Sequence, residues 1–320
     1  MRLVVVGGVA AGLSAASRAR RIDPGMEIVV LEKGHRISYG ACGLPYLIEG
    51  QVRNVDQLTV YSPDLFERER DIRIRAGAEV TAVEHTRREV VLASGERVRY
   101  DKLVWAAGAR PLVRSKDPRV FSLHTDVDGE RLKGHLTQAR PKSAAIIGGG
   151  YVGLEMAGAL RARGLKVTLH DRGSHLLHWG EQWLTRMLQD RLERCRITVQ
   201  LGSAVSTPEA LGDDIVLSAV GLTPNVEALA QAGVELGRSG AVRTDDRMET
   251  SLGGVFAAGD CCEARHAVTG AGIWVPLGTT ANKMGRVAGA NAAGRRERFP
   301  GICGTTVVRV AGLGVGTSGL

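Results

Sequence analysis

The sequence predicts an α/β fold of two parallel-sheet units, because one order of strand, glycine turn, helix and strand occurs twice. In the first copy, 3–8 (LVVVGG) is a buried strand ending in glycine, 10–22 is a helix rich in small residues, and 27–33 is a second buried strand. The second copy repeats this order, with its strand and turn, helix and strand at 143–150, 151–164 and 165–171. We interpret the repeat as an internal duplication of a Rossmann-like unit with a central parallel sheet.

The segments that follow each copy also correspond. Residues 72–105 alternate apolar and polar side chains around a turn at 93–95, which predicts a β-meander. A strand and a Gly/Pro break close that region at 102–111, and 214–225 repeats this ending in the second unit. The segment 251–260 does not continue the second unit, so we expect it to return the chain to the first.

These patterns predict two domains and the beginning of a third. The first domain takes 1–112 and 244–300 and includes a helix at 281–294, and the second domain takes 113–243. Residues 301–320 would begin a C-terminal domain that stops before it is complete, which predicts an exposed, unpaired strand edge.

Composition narrows the class of function. The chain has 320 residues, a net charge of +8, 44% hydrophobic residues and 4% aromatic residues. So few aromatics supply little stacking surface for nucleic acid, and no apolar run is long enough to predict a membrane span. The positive charge suits anionic small molecules, although arginines more often simply solvate a surface. Five scattered cysteines favour a reducing, cytoplasmic setting. His175 and His178 lack companion ligands, so we expect no metal.

The second glycine turn has the spacing of a dinucleotide-binding loop. Gly148, Gly150 and Gly153 follow a strand and open a helix, and Asp171 ends the next strand. The first glycine allows the tight turn, the second lets the backbone approach a pyrophosphate, and the third allows close packing of helix and strand. Asp171 favours NADH because it repels a 2′-phosphate, whereas the neighbouring Arg172 leaves NADPH open.

The first glycine turn is less regular. Gly7 and Gly12 are present, but Val9 replaces the middle glycine, and Glu32 is the acidic residue near the end of the second strand. A strand ending in Gly-Asp at Asp260 can direct a carboxylate at a sugar-alcohol hydroxyl. FAD has a ribityl chain and a nicotinamide nucleotide does not, so we predict FAD here and NAD(P)H at the second turn.

Cys42 is a single cysteine in the string ISYGACGLPYLIEG. Leu47 stands where a CxxxxC pair would have its second sulfur. A lone thiol cannot store an electron pair as an internal disulfide, so it must pair with a small thiol or form a sulfenic acid. Gly43 and Pro45 suit a turn into a helix, and we expect the helix N-terminus to lower the pKa of Cys42.

With these motifs the chain resembles the single-cysteine branch of the pyridine nucleotide-disulfide oxidoreductases, and within it the coenzyme A disulfide reductases. The strings that carry the resemblance are GGVAAG (7–12), SYGACGLPY (38–46), AAGARP (106–111), GGGYVGLE (148–155), AVGLTPN (219–225), AAGD (257–260) and PLGTTANKMGRVAGANAAG (276–294). The resemblance implies that hydride passes from NAD(P)H to FAD and that electrons then reduce a Cys42 mixed disulfide with coenzyme A.

The resemblance also implies roles for individual residues. Cys42 is the catalytic nucleophile, Ser38 contacts coenzyme A, Tyr151 covers the flavin until the nicotinamide displaces it, Glu155 lies near the nicotinamide amide, and Asp260 binds the ribityl chain. Cations on two helices are candidates for the coenzyme A phosphates, namely Arg18, Arg21 and Arg70. Further cofactor contacts are expected from the remaining matched positions, which are Gly8, Ala11, Lys33, Ala107, Gly108, Gly221 and Gly259.

Several alternatives stay open at this point. A NADH oxidase or peroxidase would cycle Cys42 through a sulfenic acid, but its relatives have a histidine where this chain has Ala10. A persulfide or polysulfide reductase would use the same cysteine and coenzyme A site, and a flavin-binding electron carrier would not turn over. Ala41 stands where related reductases often have asparagine. The family's C-terminal domain forms a homodimer and supplies tyrosines to the partner's site, so dimer formation is in doubt here.

Overall fold

The computed structural model describes residues 1–113, 115–177 and 181–319. Its helices, in chain order, are α1 (Ala10–Ile22), α2 (Leu44–Glu49), α3 (Pro63–Arg70), α4 (Asp126–Gln138), α5 (Tyr151–Ala162), α6 (Gln182–Arg194), α7 (Glu227–Gln231) and α8 (Gly278–Ala292). Its strands are β1 (Arg2–Val6), β2 (Glu27–Glu32), β3 (Arg73–Ala76), β4 (Val80–Glu84), β5 (Glu89–Leu92), β6 (Arg97–Arg99), β7 (Lys102–Trp105), β8 (Ala109–Pro111), β9 (Val120–Phe121), β10 (Ser143–Ile147), β11 (Lys166–His170), β12 (Ile197–Gln200), β13 (Ile215–Ser218), β14 (Leu222–Pro224), β15 (Val255–Ala257), β16 (Ala264–Arg265), β17 (Gly272–Ile273), β18 (Thr306–Val310) and β19 (Leu313–Thr317).

Two five-stranded parallel sheets form the framework, which confirms the predicted α/β class. The first sheet has the order β15–β7–β1–β2–β3, and the second has the order β12–β11–β10–β13–β9. Their central strands β1 and β10 are apolar runs buried on both faces, as parallel strands covered by helices must be. Each central strand ends in a glycine turn that opens a helix, so both turns lie at the carboxyl ends of their sheets.

Strand β15 completes the first sheet from far along the chain. It pairs with β7, with Val255 opposite Leu103 and Ala257 opposite Trp105. The whole second sheet is therefore inserted between β7 and β15. Part of the segment 251–260 thus pairs with the first sheet.

The region 72–105 differs from the predicted meander. Only β4, β5 and β6 form an antiparallel meander, whereas β3 and β7 at its two ends belong to the parallel sheet. The β3 sequence alternates polar and apolar residues because β3 is an edge strand beside β2. Strand β7 is a buried apolar run. The two Gly/Pro breaks pair with each other as β8 and β14, with Ala109 opposite Pro224.

Helices α1 and α8 pack unusually closely, because α8 turns glycines towards α1. A Cβ on Gly285 would lie 2.2 Å from the carbonyl oxygen of Ala11, and one on Gly289 would lie 2.1 Å from that of Ala15. The backbones are therefore in direct contact, and any larger side chain would push the helices apart. Since α1 follows the first glycine turn, α8 helps to fix the position of that turn.

Strands β18 and β19 form a hairpin, with Thr306 opposite Thr317 and Val308 opposite Val315. Val308 and Val310 are buried, whereas Val307 is 78% exposed. The strands predicted in 301–320 are thus paired with each other in a two-stranded sheet, and one face of the hairpin is buried. Among the described residues, no helix is long and apolar enough to cross a lipid bilayer.

Candidate functional site

A single large cavity of about 1810 Å³ joins the two glycine turns to Cys42. Pockets for one small ligand usually measure about 300–1,000 Å³, so this cavity has room for more than one. The predicted site residues that line it are Gly7, Ala11, Arg21, Glu32, Lys33, Ser38, Cys42, Arg70, Ala107, Gly108, Gly148, Gly150, Tyr151, Glu155, Asp171, Gly221, Gly259 and Asp260. The structure therefore brings most of the predicted residues together.

The first glycine turn is closed by backbone contacts that admit no side chain at two of its positions. Gly7 has φ +105°, and a Cβ on it would lie 2.2 Å from the carbonyl oxygen of Ala106. A Cβ on Gly12 would lie 1.9 Å from the carbonyl oxygen of Gly7. Val9 has φ −111° and lines the cavity, so the middle position tolerates a side chain. Gly12 is therefore a packing residue rather than a cavity contact.

The second turn repeats this geometry. A Cβ on Gly148 would lie 2.4 Å from the carbonyl oxygen of Ala219, and one on Gly153 would lie 1.8 Å from that of Gly148. Gly150 has φ −83° and no protein atom near its Cβ position, so its side-chain space belongs to the cavity. Such a bare turn at the start of α5 suits a pyrophosphate, because the amides of a helix N-terminus and the helix dipole favour an anion there.

The two acidic residues at the ends of β2 and β11 make equivalent contacts. Glu32 accepts hydrogen bonds from the backbone amides of Gly8 (2.6 Å) and Gly34 (2.7 Å). Asp171 accepts from Gly149 (2.6 Å) and Gly173 (2.7 Å). Each carboxylate thus ties its glycine turn to the loop after the next strand. Each oxygen keeps a second lone pair, which is the acceptor that a ribose hydroxyl requires.

Asp260 lies just beyond β15 and faces the same cavity. Burial raises the pKa of its carboxyl group to about 6. Gly259 before it has φ +83°, and a Cβ there would lie 2.9 Å from the Cβ of Ala11. Trp274, which belongs to none of the predicted motifs, also lines the cavity and donates from Nε1 to the carbonyl oxygen of Asp260 at 2.8 Å.

Cys42 lies in a single 3₁₀ turn, Ala41–Gly43, immediately before α2. The predicted lowering of its pKa is wrong. The Cys42 side chain is exposed at the cavity, yet desolvation by the surrounding protein and the negative charges of Glu155 and Asp260 raise its pKa above the ordinary value. Helix α2, which follows Cys42, has only six residues. None of the five cysteines, all of which the structure describes, forms a disulfide.

Leu47 occupies the position at which a CxxxxC pair would have its second sulfur. Its side chain is 1% exposed and belongs to the apolar core beneath α2. The position therefore serves packing here.

Ser38 lines the cavity in a strained backbone conformation. Its φ is +54°, a region that a residue with a Cβ rarely adopts. Its amide donates to the carbonyl oxygen of Gly8 at 3.0 Å, and its carbonyl oxygen accepts from Val60 at 3.0 Å. The first bond ties the segment that carries Cys42 to the first glycine turn, and the second ties the same segment to the chain at Val60.

Tyr151 and Glu155 project from α5 into the cavity and are both bonded to β18. The Tyr151 hydroxyl is 2.7 Å from Oγ1 of Thr306, and Glu155 accepts from the amide of Arg309 at 3.4 Å. Burial raises the pKa of Glu155. No local sequence pattern connects the hairpin to these two residues.

The structure separates the three predicted arginines. Arg21 and Arg70 line the cavity, and Arg70 donates to the hydroxyl of Tyr61 at 3.0 Å. Arg18 forms an ion pair with Glu297 and is not among the residues that line the cavity. Arg286 on α8 is exposed and lines the cavity instead. The ANKMGR string predicted that Arg286 lies on a helix. It did not predict that this side of the helix meets the cavity.

Gly8 also lies outside the cavity lining, because its amide is directed at Glu32. Among the described residues, no group of three or more histidine, cysteine or acidic side chains is placed to hold a metal ion. His178, one of the two histidines considered above, lies outside the described residues.

Comparison with known proteins gives one family and several close relatives. The model of the pyridine nucleotide-disulphide oxidoreductase family matches residues 1–294. An NAD(P)H coenzyme A polysulfide/persulfide reductase of Pyrococcus horikoshii is 36% identical, over 100% of this chain and 76% of its own length. A coenzyme A disulfide reductase of Staphylococcus haemolyticus is 29% identical, over 96% of this chain and 74% of its own.

A solved structure has the same fold. The reduced Bacillus anthracis protein named CoADR-RHD superposes with a TM-score of 0.95 at 29% identity, and the match covers 100% of this chain and 61% of that one. The chain therefore spans about three quarters of the two curated relatives and less than two thirds of this structure.

Proposed function

Because the chain belongs to the pyridine nucleotide-disulphide oxidoreductases, we propose that it is a flavoprotein enzyme that reduces coenzyme A disulfide or coenzyme A persulfide. In this proposal NAD(P)H supplies the electrons, FAD carries them, and Cys42 delivers them. The observation that carries the proposal is the shared cavity, which both glycine turns, Asp260 and the single Cys42 line together.

The protein groups around the first glycine turn fit FAD. Glu32 and the turn itself suit the adenosine and pyrophosphate, and Asp260 suits the ribityl hydroxyls. FAD, when bound, accepts a hydride and returns an electron pair. The second turn and Asp171 suit the nicotinamide nucleotide. In the same proposal, the FAD domain takes 1–112 and 244–300, and the NAD(P)H domain takes 113–243.

Cys42 provides the thiol chemistry. As a thiolate it attacks one sulfur of coenzyme A disulfide, which forms the Cys42–S–S–CoA bond and releases one coenzyme A thiolate. An electron pair originating from NAD(P)H then cleaves this bond and regenerates the Cys42 thiolate and a second coenzyme A thiolate. The raised pKa of Cys42 means that its proton must leave before the attack, and the cavity gives it an open route.

The anionic end of the substrate has matching cations. Arg21, Arg70 and Arg286 line the same cavity as Ser38, and guanidinium groups bind phosphate groups well. A persulfide of coenzyme A would use the same anchors and the same thiol. The reaction suits the reducing cytoplasm, since the proposed cycle needs Cys42 to return to the thiol.

Substitution of Cys42 by serine tests the proposal. We expect C42S to bind FAD and remain yellow but to lose NADH consumption that depends on coenzyme A disulfide. Intact-mass analysis before and after mild reduction would detect a coenzyme A adduct in the wild type and none in C42S. The matched control is C303S, since Cys303 is another exposed cysteine. Turnover by C42S at the wild-type rate would contradict the proposal.

A second candidate is oxygen reduction through a Cys42 sulfenic acid. It makes the opposite prediction for the same assay, because NADH consumption would need oxygen and no coenzyme A disulfide. Ala10 lines the cavity where a histidine would supply a proton, so the chain offers no imidazole at that position.

A further inference from the structure

We propose that Thr306 is a positioning residue that holds the Tyr151 ring in the cavity, so that the nicotinamide end of the dinucleotide must break the Thr306–Tyr151 hydrogen bond to bind. The inference rests on the proposed function, since it assumes that the second glycine turn binds NAD(P)H. It assigns to the β18–β19 hairpin a part in nucleotide binding.

Tyr151 lies on the path from the second glycine turn to Cys42. It is the first residue of α5, directly after Gly150. Glu155 follows one turn later on the same face of the helix, and its charge acts on the thiol of Cys42. This face of α5 therefore leads from the pyrophosphate position to Cys42, and a nicotinamide that reaches towards Cys42 must pass the Tyr151 ring.

A chain of hydroxyl groups fixes the ring. The Tyr151 hydroxyl is 2.7 Å from Oγ1 of Thr306, and this atom is 3.0 Å from Oγ1 of Thr317 on the opposite strand. Thr306 is only 8% exposed. Water therefore competes weakly for the bond, and its loss has a measurable free-energy cost.

The hairpin that carries Thr306 is firmly seated, so Thr306 does not follow Tyr151 when the ring moves. Val308 and Val310 are buried against α5 and its neighbours. Arg191 on α6 donates to the carbonyl oxygen of Ala311 from both Nε (3.0 Å) and Nη2 (2.5 Å). The Arg309 amide bonds to Glu155, so the same strand is fixed at two points along α5.

These contacts define two arrangements, one with the bond made and one with it broken, and only the second admits the nicotinamide. The apparent Kd for the nucleotide rises as the competent fraction falls. Removing one neutral hydrogen bond from the closed arrangement should then lower the Kd for NAD⁺ about fivefold. ADP-ribose lacks the nicotinamide, so its Kd should not change.

The experiment measures the Kd of NAD⁺ and of ADP-ribose by calorimetry on the FAD-loaded protein. T306V should bind NAD⁺ about fivefold more tightly and ADP-ribose as the wild type does. T306S keeps the hydroxyl and should restore the wild-type Kd for NAD⁺. The matched control is T305V, because Thr305 pairs with Ser318 at 2.7 Å on the same hairpin but is exposed and outside the cavity lining.

A double-mutant cycle separates positioning from general loosening of the hairpin. Y151F removes the same bond from the other side, so Y151F and T306V should each tighten NAD⁺ binding and their combination should add nothing further. If T306V leaves the NAD⁺ Kd unchanged, or shifts NAD⁺ and ADP-ribose equally, the inference is overturned and the proposed function stands. If neither ligand binds the wild type, the proposed function itself is wrong.

Discussion

Replacement of Glu32 by glutamine tests the assignment of the two nucleotide sites. The Glu32 carboxylate accepts two backbone amides, from Gly8 at 2.6 Å and Gly34 at 2.7 Å. A glutamine has only one acceptor oxygen, so one of the two amides would face an NH₂ donor. Loss of one hydrogen bond to a charged group costs about 1.5–3 kcal/mol. Since this bond shapes the first glycine turn, we expect about 10- to 150-fold weaker FAD binding.

The assay is a fluorescence titration of the apoprotein with FAD, followed by flavin retention on gel filtration. D171N is the matched control, because Asp171 makes the same two amide contacts at the second turn, with Gly149 and Gly173. We expect D171N to retain FAD and to bind NAD⁺ weakly. An E32Q protein with the wild-type Kd for FAD, or a D171N protein that loses its flavin as easily as E32Q, would refute the reasoning.

Three further changes give distinct outcomes. E155Q keeps an acceptor for the Arg309 amide but removes a negative charge that raises the pKa of Cys42. Iodoacetamide should therefore alkylate Cys42 about two- to threefold faster at pH 8 in this variant. An unaltered dependence of the alkylation rate on pH would argue against this coupling. R172A should weaken NADPH binding about tenfold and leave NADH binding nearly unchanged, because Arg172 is the exposed cation beside Asp171 in the cavity. Equal losses of affinity for both nucleotides would exclude a role for Arg172 in binding the 2′-phosphate. G289A should destabilise the fold by about 1–3 kcal/mol, because its Cβ would meet the Ala15 carbonyl. The Cβ of G134A in α4 would meet no atom, so this variant should stabilise the fold by about 0.5–1 kcal/mol. The urea midpoints of the two variants must therefore move in opposite directions.

Local patterns predicted the framework of the molecule well. The strand, glycine turn and helix at each nucleotide site depend on neighbouring residues, so the sequence contained the necessary information at 3–22 and 143–162. The predicted meander includes β3, which belongs to the parallel sheet. Alternation of polar and apolar residues is expected for an edge strand of a parallel sheet as well as for an antiparallel strand. Periodicity describes which faces are buried, and not which strand lies alongside.

Some contacts of the site residues could not be predicted from the sequence. Arg18 pairs with Glu297 and Tyr151 bonds to Thr306, and both contacts join residues far apart in the chain. No local pattern predicts such partners. The direction of the Cys42 pKa was predicted wrongly for the same reason, because the pKa is raised first by desolvation and then by the charges of Glu155 and Asp260, which lie on other elements.

The insertion of the second sheet between β7 and β15 sets an order of events during synthesis. Strand β7 ends at Trp105, but the strand that covers its open edge begins only at Val255. At about 5–20 residues per second, this edge waits roughly 8–30 s for its neighbour to leave the ribosome. All strands of the inserted sheet emerge within that interval. The nascent chain should therefore complete its later nucleotide-binding half first, and a chaperone that shields exposed strand edges would act on the earlier half.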